Sequence, residues 1–325
     1  MTKNRKNDKI KIVYSILAIV VIYILLKIAI DGGILNRQYR SLIVPIGINI
    51  ILAVSLNLTT GFLGELALGH AGFMAIGAYV GALITLNMNA SVYVELPLAL
   101  LAGGLSAALA GLIIGIPVLR LRGDYLAIVT LAFNQIIISI INSMKVTNGA
   151  QGLSKIETYT NYKHFTSAFI LVVITIIVIR NFVHSKHGRA VCAVRDNMIA
   201  AEASGLQVSR YKILAFAIAA FFAGVAGVIY AHNVSIIKPT NFEYTKSIEI
   251  LVMVVLGGMG SIKGSIIAAA ALTVLPEFLR GADDFRMLLY ATVLIVMMLF
   301  NQSGVRDRLL GKRKLLSNSK NVKGE

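Results

Sequence analysis

The chain has 325 residues, 57% of them hydrophobic and only 14% charged, with a mean hydropathy of +0.79. Soluble domains carry about 25% charged residues, so a water-soluble globule is excluded: no surface of ordinary polarity would cover this much apolar material. The formal charge of +16 does not point to nucleic acid, because the basic residues gather at the N-terminus (Lys3, Arg5, Lys6, Lys9, Lys11), between apolar runs and in the tail from Arg306 to Lys323, with no nucleic-acid-binding motif beside them.

Apolar stretches fall near residues 12–30, 42–60, 66–86, 96–119, 125–142, 165–183, 212–231, 247–261, 265–279 and 285–300. A helix needs about 20 residues to cross the hydrocarbon core. The first stretch is too long for the apolar region of a signal peptide and lacks a small-x-small cleavage site, so it is expected to stay as a membrane span. The stretches at 247–261 and 265–279 are short and interrupted by Gly257, Gly258, Gly260 and Gly264, as in a tilted pair or a re-entrant hairpin. The expected class is all-α, a polytopic bundle of about 8–10 membrane helices. Placing the N-terminus inside puts about two-thirds of the Lys and Arg on the cytoplasmic side, including Arg120, Arg122, Arg189, Arg195 and Arg210, while acidic residues divide nearly evenly. Both termini are therefore expected to be cytoplasmic. The chain divides into a basic N-terminus (1–11), a membrane domain (12–300) and a basic tail (301–325).

The segment "GELALGHAGFMAIGAYVGAL", Gly64 to Leu83, is rich in small residues where a lipid-facing helix has no use for them. On a wheel of 100° per residue, Gly64, Ala67, Ala71, Ala75, Ala78 and Ala82 share a stripe about 100° wide, a face that lets another helix approach closely. Glu65 and His70 fall about 140° apart, so on a regular helix they do not pair. Glu65 reads as a charge at the cytoplasmic helix end. His70, one turn deeper, reads either as a structural hydrogen bond or as part of a pathway lining.

Further polarity is spread through the spans. Asn49 and Asn57 lie in the second apolar run, Thr130 and Asn134 share one face of 125–142, Gln135 and Ser139 a neighbouring one, and Glu249 opens the glycine-broken pair. Amides and hydroxyls join helices more often than they bind solutes, whereas discontinuous helices with glycines, here Gly257 and Gly258, free backbone groups for a polar solute. Asn57, His70, Thr130, Asn134, Gln135, Glu249, Gly257 and Gly258 are thus the candidate pathway residues.

The loop 184–211 contains a stretch, Ala193 to Ser204, that favours one short helix, with Gly205 as its stop. His184, His187 and Cys192 make a weak metal set, and none is expected. The lone cysteine excludes an internal disulfide. No G-x-x-x-x-G-K-[S/T] phosphate loop occurs, and no connecting segment is long enough to fold a nucleotide-binding domain.

Four segments in order, "NLTTGFLGELALGHAGFMAIGAY", "LRLRGDYLAIVTLAF", "GRAVCAVRDNMIAAEASGLQVSRYKILAFAIAAFFAGVAGVIYA" and "SIEILVMVVLGGMGSIKGSIIAAAAL", resemble the LivM-type permease subunit of branched-chain amino-acid ABC importers. The resemblance runs from about residue 45 to 300 and departs from the family pattern at Asn134-Gln135. It implies import of leucine, isoleucine or valine across the bacterial cytoplasmic membrane. It also implies a second related permease, two cytoplasmic ATPases holding ATP and Mg, and an external substrate-binding protein, with no cofactor on this chain. The "AAEA.G" core resembles the coupling segment that docks on the ATPase, carrying that role onto Ala200, Ala201, Glu202, Ala203 and Gly205, with Arg195 and Asp196 leading in. Urea or short amides are the rival cargo. An ATP-independent transporter lacks a reason for the coupling-like loop, and an intramembrane hydrolase using His70 lacks a nucleophile–base arrangement.

Overall fold

The computed structural model describes residues 20–296, apart from 22, 31, 33–35, 89–90, 120, 122, 161–164, 281–284, 286–287 and 290. Residues 12–19 and 22 of the first expected span, Arg120 and Arg122, the end of the 285–300 stretch and both basic termini lie outside the described residues.

The described chain is helical and forms no strand; its one β-type pairing is an antiparallel bridge between Leu153 and Ile237. Hydrocarbon offers no partner to a backbone N–H or C=O, so a spanning segment must satisfy its own, as a helix does. Among the described residues, six helices are long and apolar enough to cross a membrane: Gln38–Leu63, His70–Asn87, Val92–Val118, Asp124–Ser143, Phe165–His184 and Val208–Val234. In chain order the elements are α1 (Ile43–Asn57), α2 (His70–Asn87), α3 (Val92–Val118), α4 (Asp124–Ser143), α5 (Phe165–His184), the connecting helices α6 (Lys186–Asp196) and α7 (Met198–Ala203), α8 (Val208–Val234), and the short pair α9 (Tyr244–Gly257) and α10 (Ile262–Phe278).

The bundle is organised round α8, which packs along α3 and α2, with α1 on another side. Missing side chains set these distances. A Cβ on Gly77 would lie 2.2 Å from the carbonyl oxygen of Gly224, one on Gly227 2.0 Å from that of Met74, and one on Gly224 2.6 Å from that of Gly103. The three backbones touch through this glycine seam, in keeping with close approach as the source of helix association in lipid. Ala71, Ala75, Ala78 and Ala82 of α2 are fully buried.

The expected helix from Gly64 to Leu83 is corrected at its start. After Asn57 the chain makes a wider π-type turn, Leu58–Leu63, which ends at Gly64 in the left-handed region (φ 79°). Residues 64–69 are not helical, and α2 begins at His70. Gly64 and Ala67 therefore leave the small-residue stripe, and the angle between Glu65 and His70 on a continuous wheel has no meaning.

The loop 184–211 also differs. In place of one helix over 193–204 there are two, α6 and α7, separated at Asn197, whose extended backbone ends the first and whose side-chain oxygen accepts from Ala200 N at 3.0 Å to cap the second. Asparagine is among the best N-caps, and that preference outweighs the helix-forming residues on either side. Gly205, at φ 82°, is the stop expected of it. The short pair is as broken as expected: Gly258 (φ 90°) and Gly260 (φ 79°) turn the chain between α9 and α10.

At the end of the bundle away from 184–211, the segment after α4 is tied to the end of α8. Leu153 and Ile237 exchange both backbone bonds at 3.0 Å, and Ile156 N donates to Ser235 O. Thr160 Oγ1 donates to Ile229 O, and Asn233 Nδ2 to Thr160 O at 2.7 Å.

Ala75→Leu should overpack the buried face of α2 at a cost of about 1–3 kcal/mol, lowering the detergent melting temperature and the yield of folded protein. Val80, half-exposed on the same helix, should accept leucine with little change in either measurement.

Candidate functional site

The break between α1 and α2 is where most elements meet. Unwinding frees backbone groups that hydrocarbon does not satisfy, and side chains from several helices take them up. Thr130 Oγ1 of α4 accepts from Leu68 N at 2.9 Å, and Ser247 Oγ of α9 accepts from Ala71 N at 3.0 Å. Glu65 N closes onto Thr59 O. Arg195 of α6 donates from Nη1 to Gly61 O at 3.1 Å, and a Cβ on Gly64 would lie 2.6 Å from Arg195 Cγ.

Glu65 is not a solvated helix-end charge. Its carboxylate accepts from the ammonium of Lys212, near the start of α8, and the two side chains are only 14% and 3% exposed. Separating such charges strands one in a low dielectric, so the pair ties the break to the helix that follows the loop. The sequence reading missed Lys212 because a lysine at the first position of an apolar run reads as ordinary flanking charge.

Asn57 is fully buried and acts as a clamp. Its Nδ2 donates to Ser265 Oγ at 2.9 Å and its Oδ1 accepts from Gly260 N at 2.8 Å. Gly257 and Gly264 meet so closely that a Cβ on Gly264 would lie 1.7 Å from the Gly257 carbonyl oxygen. Asn57, Gly257 and Gly258 thus fall in one neighbourhood at the α9–α10 turn. His70 shares a 2.8 Å hydrogen bond between Nε2 and Ser55 Oγ, both buried, which favours the structural reading. Asn134 Nδ2 donates to Phe242 O at 3.3 Å, while Gln135 is half-exposed on the neighbouring face. Most of these polar groups join elements together.

Glu249 differs. It pairs with Lys246 at 2.9 Å on α9, and Lys246 also reaches Asn49 Oδ1 of α1 at 3.4 Å.

In the loop 184–211, one side of α6 and α7 faces inward. Val191, Val194 and Ala201 pack with Leu58, Leu63, Val208 and Ala215. The other side is open: Ile199 is 76% exposed, and Ala200, Glu202, Ala203 and Gly205 are exposed beside it. Asp196 is exposed as well, its Oδ1 accepting from Arg195 at 2.8 Å. Arg195 and Glu202 therefore do different work, the first gripping the break and the second presented outward. Burial pushes the Cys192 thiol up, with Arg195 opposing and Asp196 adding to the shift. Among the described residues no group of His, Cys, Asp or Glu is arranged to hold a metal ion.

Six crossing helices, a core of glycine contacts and helices interrupted within the bundle define a multi-pass membrane transport protein. The family described as branched-chain amino acid transport system / permease component matches residues 39–300, and the chain belongs to it. It is 37% identical over 310 residues to the high-affinity branched-chain amino acid transport system permease protein LivM of Salmonella typhimurium, and equally to that of Escherichia coli; each alignment covers 86% of this chain and 72% of the relative. It is also 27% identical over 173 residues to the permease protein LivH of Salmonella typhimurium, covering 52% of this chain and 54% of the relative. No solved structure matches the chain.

Lys212→Met should cost about 3–5 kcal/mol by leaving Glu65 buried and unpaired. The Glu65→Gln/Lys212→Met double variant should recover much of that loss. Melting temperatures of the purified variants, combined as a double-mutant cycle, measure the coupling.

Proposed function

We propose that this chain is one of two membrane subunits of an importer for leucine, isoleucine and valine, driven by ATP hydrolysed on separate subunits. The observation that carries the reading is the 37% identity to the LivM proteins across 86% of the chain. The second membrane subunit is a related permease, a reading supported by the weaker similarity to LivH. Two cytoplasmic ATPases hold ATP and Mg, an external binding protein delivers the amino acid, and this chain binds no cofactor. The protein resides in the bacterial plasma membrane, with both termini and the loop 184–211 on the cytoplasmic side. The basic residues Lys186, Arg189, Arg195 and Arg210 of that loop agree with this orientation.

The geometry supplies a route for mechanical work. An ATPase engages the open side of α6 and α7, where Ile199 and Glu202 are presented. Movement of α6 pulls on the π-type turn through Arg195 and Gly61. Movement at the base of α8 reaches the same break through Lys212 and Glu65. Two packings of the bundle, biased from one side by the loaded binding protein and from the other by nucleotide, are sufficient for alternating access.

The test is reconstitution in liposomes. This chain alone should neither hydrolyse ATP nor concentrate an amino acid. With the second permease, both ATPases and loaded binding protein, leucine uptake and stimulated hydrolysis should appear together. Uptake driven by an ion gradient through this chain alone would sink the reading, and uptake of urea but not leucine by the complex would correct only the cargo. Glu202→Lys should leave membrane insertion and melting temperature unchanged, since the side chain is exposed, yet abolish uptake and stimulated hydrolysis. Normal uptake by a well-expressed Glu202→Lys complex would remove Glu202 from the coupling surface.

A further inference from the structure

The pair Lys246–Glu249 lies where a charged pair is out of place. Asn49, which accepts from Lys246, is near the middle of the span Gln38–Leu63. Phe242, just before α9, has its carbonyl bonded by Asn134, near the middle of α4. The first turn of α9 is thus set at mid-bundle depth, and α9, with 14 residues, is too short to cross. At that depth the side chain of Lys246 is 21% exposed and that of Glu249 40% exposed, in contrast with Lys212, which is sealed at 3%. Acyl chains do not solvate an exposed ion pair. In a bilayer such a pair needs water, a polar solute or another protein surface against it.

We propose that Lys246 and Glu249, steadied by Asn49, form a transient binding position for the charged backbone of a zwitterionic amino acid on its way through the importer. The inference rests on the function proposed above. A zwitterion carries one carboxylate and one ammonium on the same carbon. Entering between the two side chains, it gives its carboxylate to Lys246 and its ammonium to Glu249, exchanging one ion pair for two without leaving a charge bare. Asn49 is held in orientation by its own bond from Nδ2 to Thr273 Oγ1 at 2.9 Å, so its oxygen stays available to Lys246 as Glu249 turns to the ligand. When the zwitterion leaves, Lys246 and Glu249 close on each other again. Their mutual attraction keeps the position weak, as passage requires.

The test uses the complete complex, with Cys192→Ser removing the native thiol and Thr245→Cys, exposed in the first turn of α9, reporting on the site. A water-soluble methanethiosulfonate should label Thr245→Cys, and millimolar leucine should slow the labelling several-fold. Adding Glu249→Gln, or Lys246→Met where the first variant fails to assemble, should abolish the protection. Either should also lower leucine uptake per ATP hydrolysed about tenfold, the loss expected for one charge-assisted contact, while hydrolysis stimulated by loaded binding protein persists. No labelling would mean that the second subunit or lipid covers this face, and would overturn the proposal. Protection that survives neutralisation of the pair, or uptake per ATP unchanged in both variants, would overturn it equally. If the unmodified complex takes up no leucine, the fault lies in the proposed cargo, a failure separate from these.

Discussion

A peptide group that leaves a helix inside a membrane must find another partner, and this structure is arranged around one place where several do. Between Leu58 and Gly69 the chain leaves the α-helix; Thr130 and Arg195 reach its backbone there and Ser247 reaches Ala71 N just beyond, from three different elements. The buried pair of Glu65 and Lys212 adds a fourth tie, to α8. The neutral bonds from Thr130 and Ser247 are not strong by themselves, since a typical hydrogen bond contributes about 0.5–1.5 kcal/mol net. Leaving any one unmade is costly, because water is not there to replace it. The break is thus a junction at which the positions of α4, α6, α8 and α9 are fixed against one another.

The glycine seam has the opposite character. Gly77, Gly103, Gly224 and Gly227 join α2, α3 and α8 through contact of bare backbone, with little directionality beyond shape. Such a surface holds helices together by dispersion and excluded lipid, and resists any side chain added to it. The bundle therefore combines a close-packed block of three helices with a polar junction at its edge. The block supplies rigidity and the junction supplies connection to the loop 184–211.

How much of this was legible in the sequence depended on the kind of signal. Long apolar runs gave the crossing helices, and glycines at Gly257, Gly258 and Gly260 gave the turn between α9 and α10, because both are marked by composition. The burial of Ala71, Ala75, Ala78 and Ala82 followed from their spacing. The unwinding at Gly64 was hidden, since small apolar residues fit a helix as well as a break and the left-handed glycine has no signature of its own. Lys212 and Lys246 passed as flanking charge, because nothing local distinguishes a lysine at a membrane surface from one bonded at depth. Asn57 and His70 drew attention as polar residues in apolar surroundings, yet their roles are set by Ser265, Gly260 and Ser55, two of them some two hundred residues away in the chain. Polarity located them; only the tertiary arrangement assigned their work.

The knotting of residues 153–160 onto Ile229, Asn233, Ser235 and Ile237 bears on how far a movement travels. A loop hung loosely from a helix absorbs that helix's motion, whereas one fastened by backbone bonds at several points inherits it. The far end of α8 therefore carries its cap as a single piece. A tilt begun beside Lys212 emerges, a membrane's thickness away, as displacement of the whole cap. The surface met by anything approaching from that side is in this sense the long arm of a lever whose short arm lies next to the broken helix.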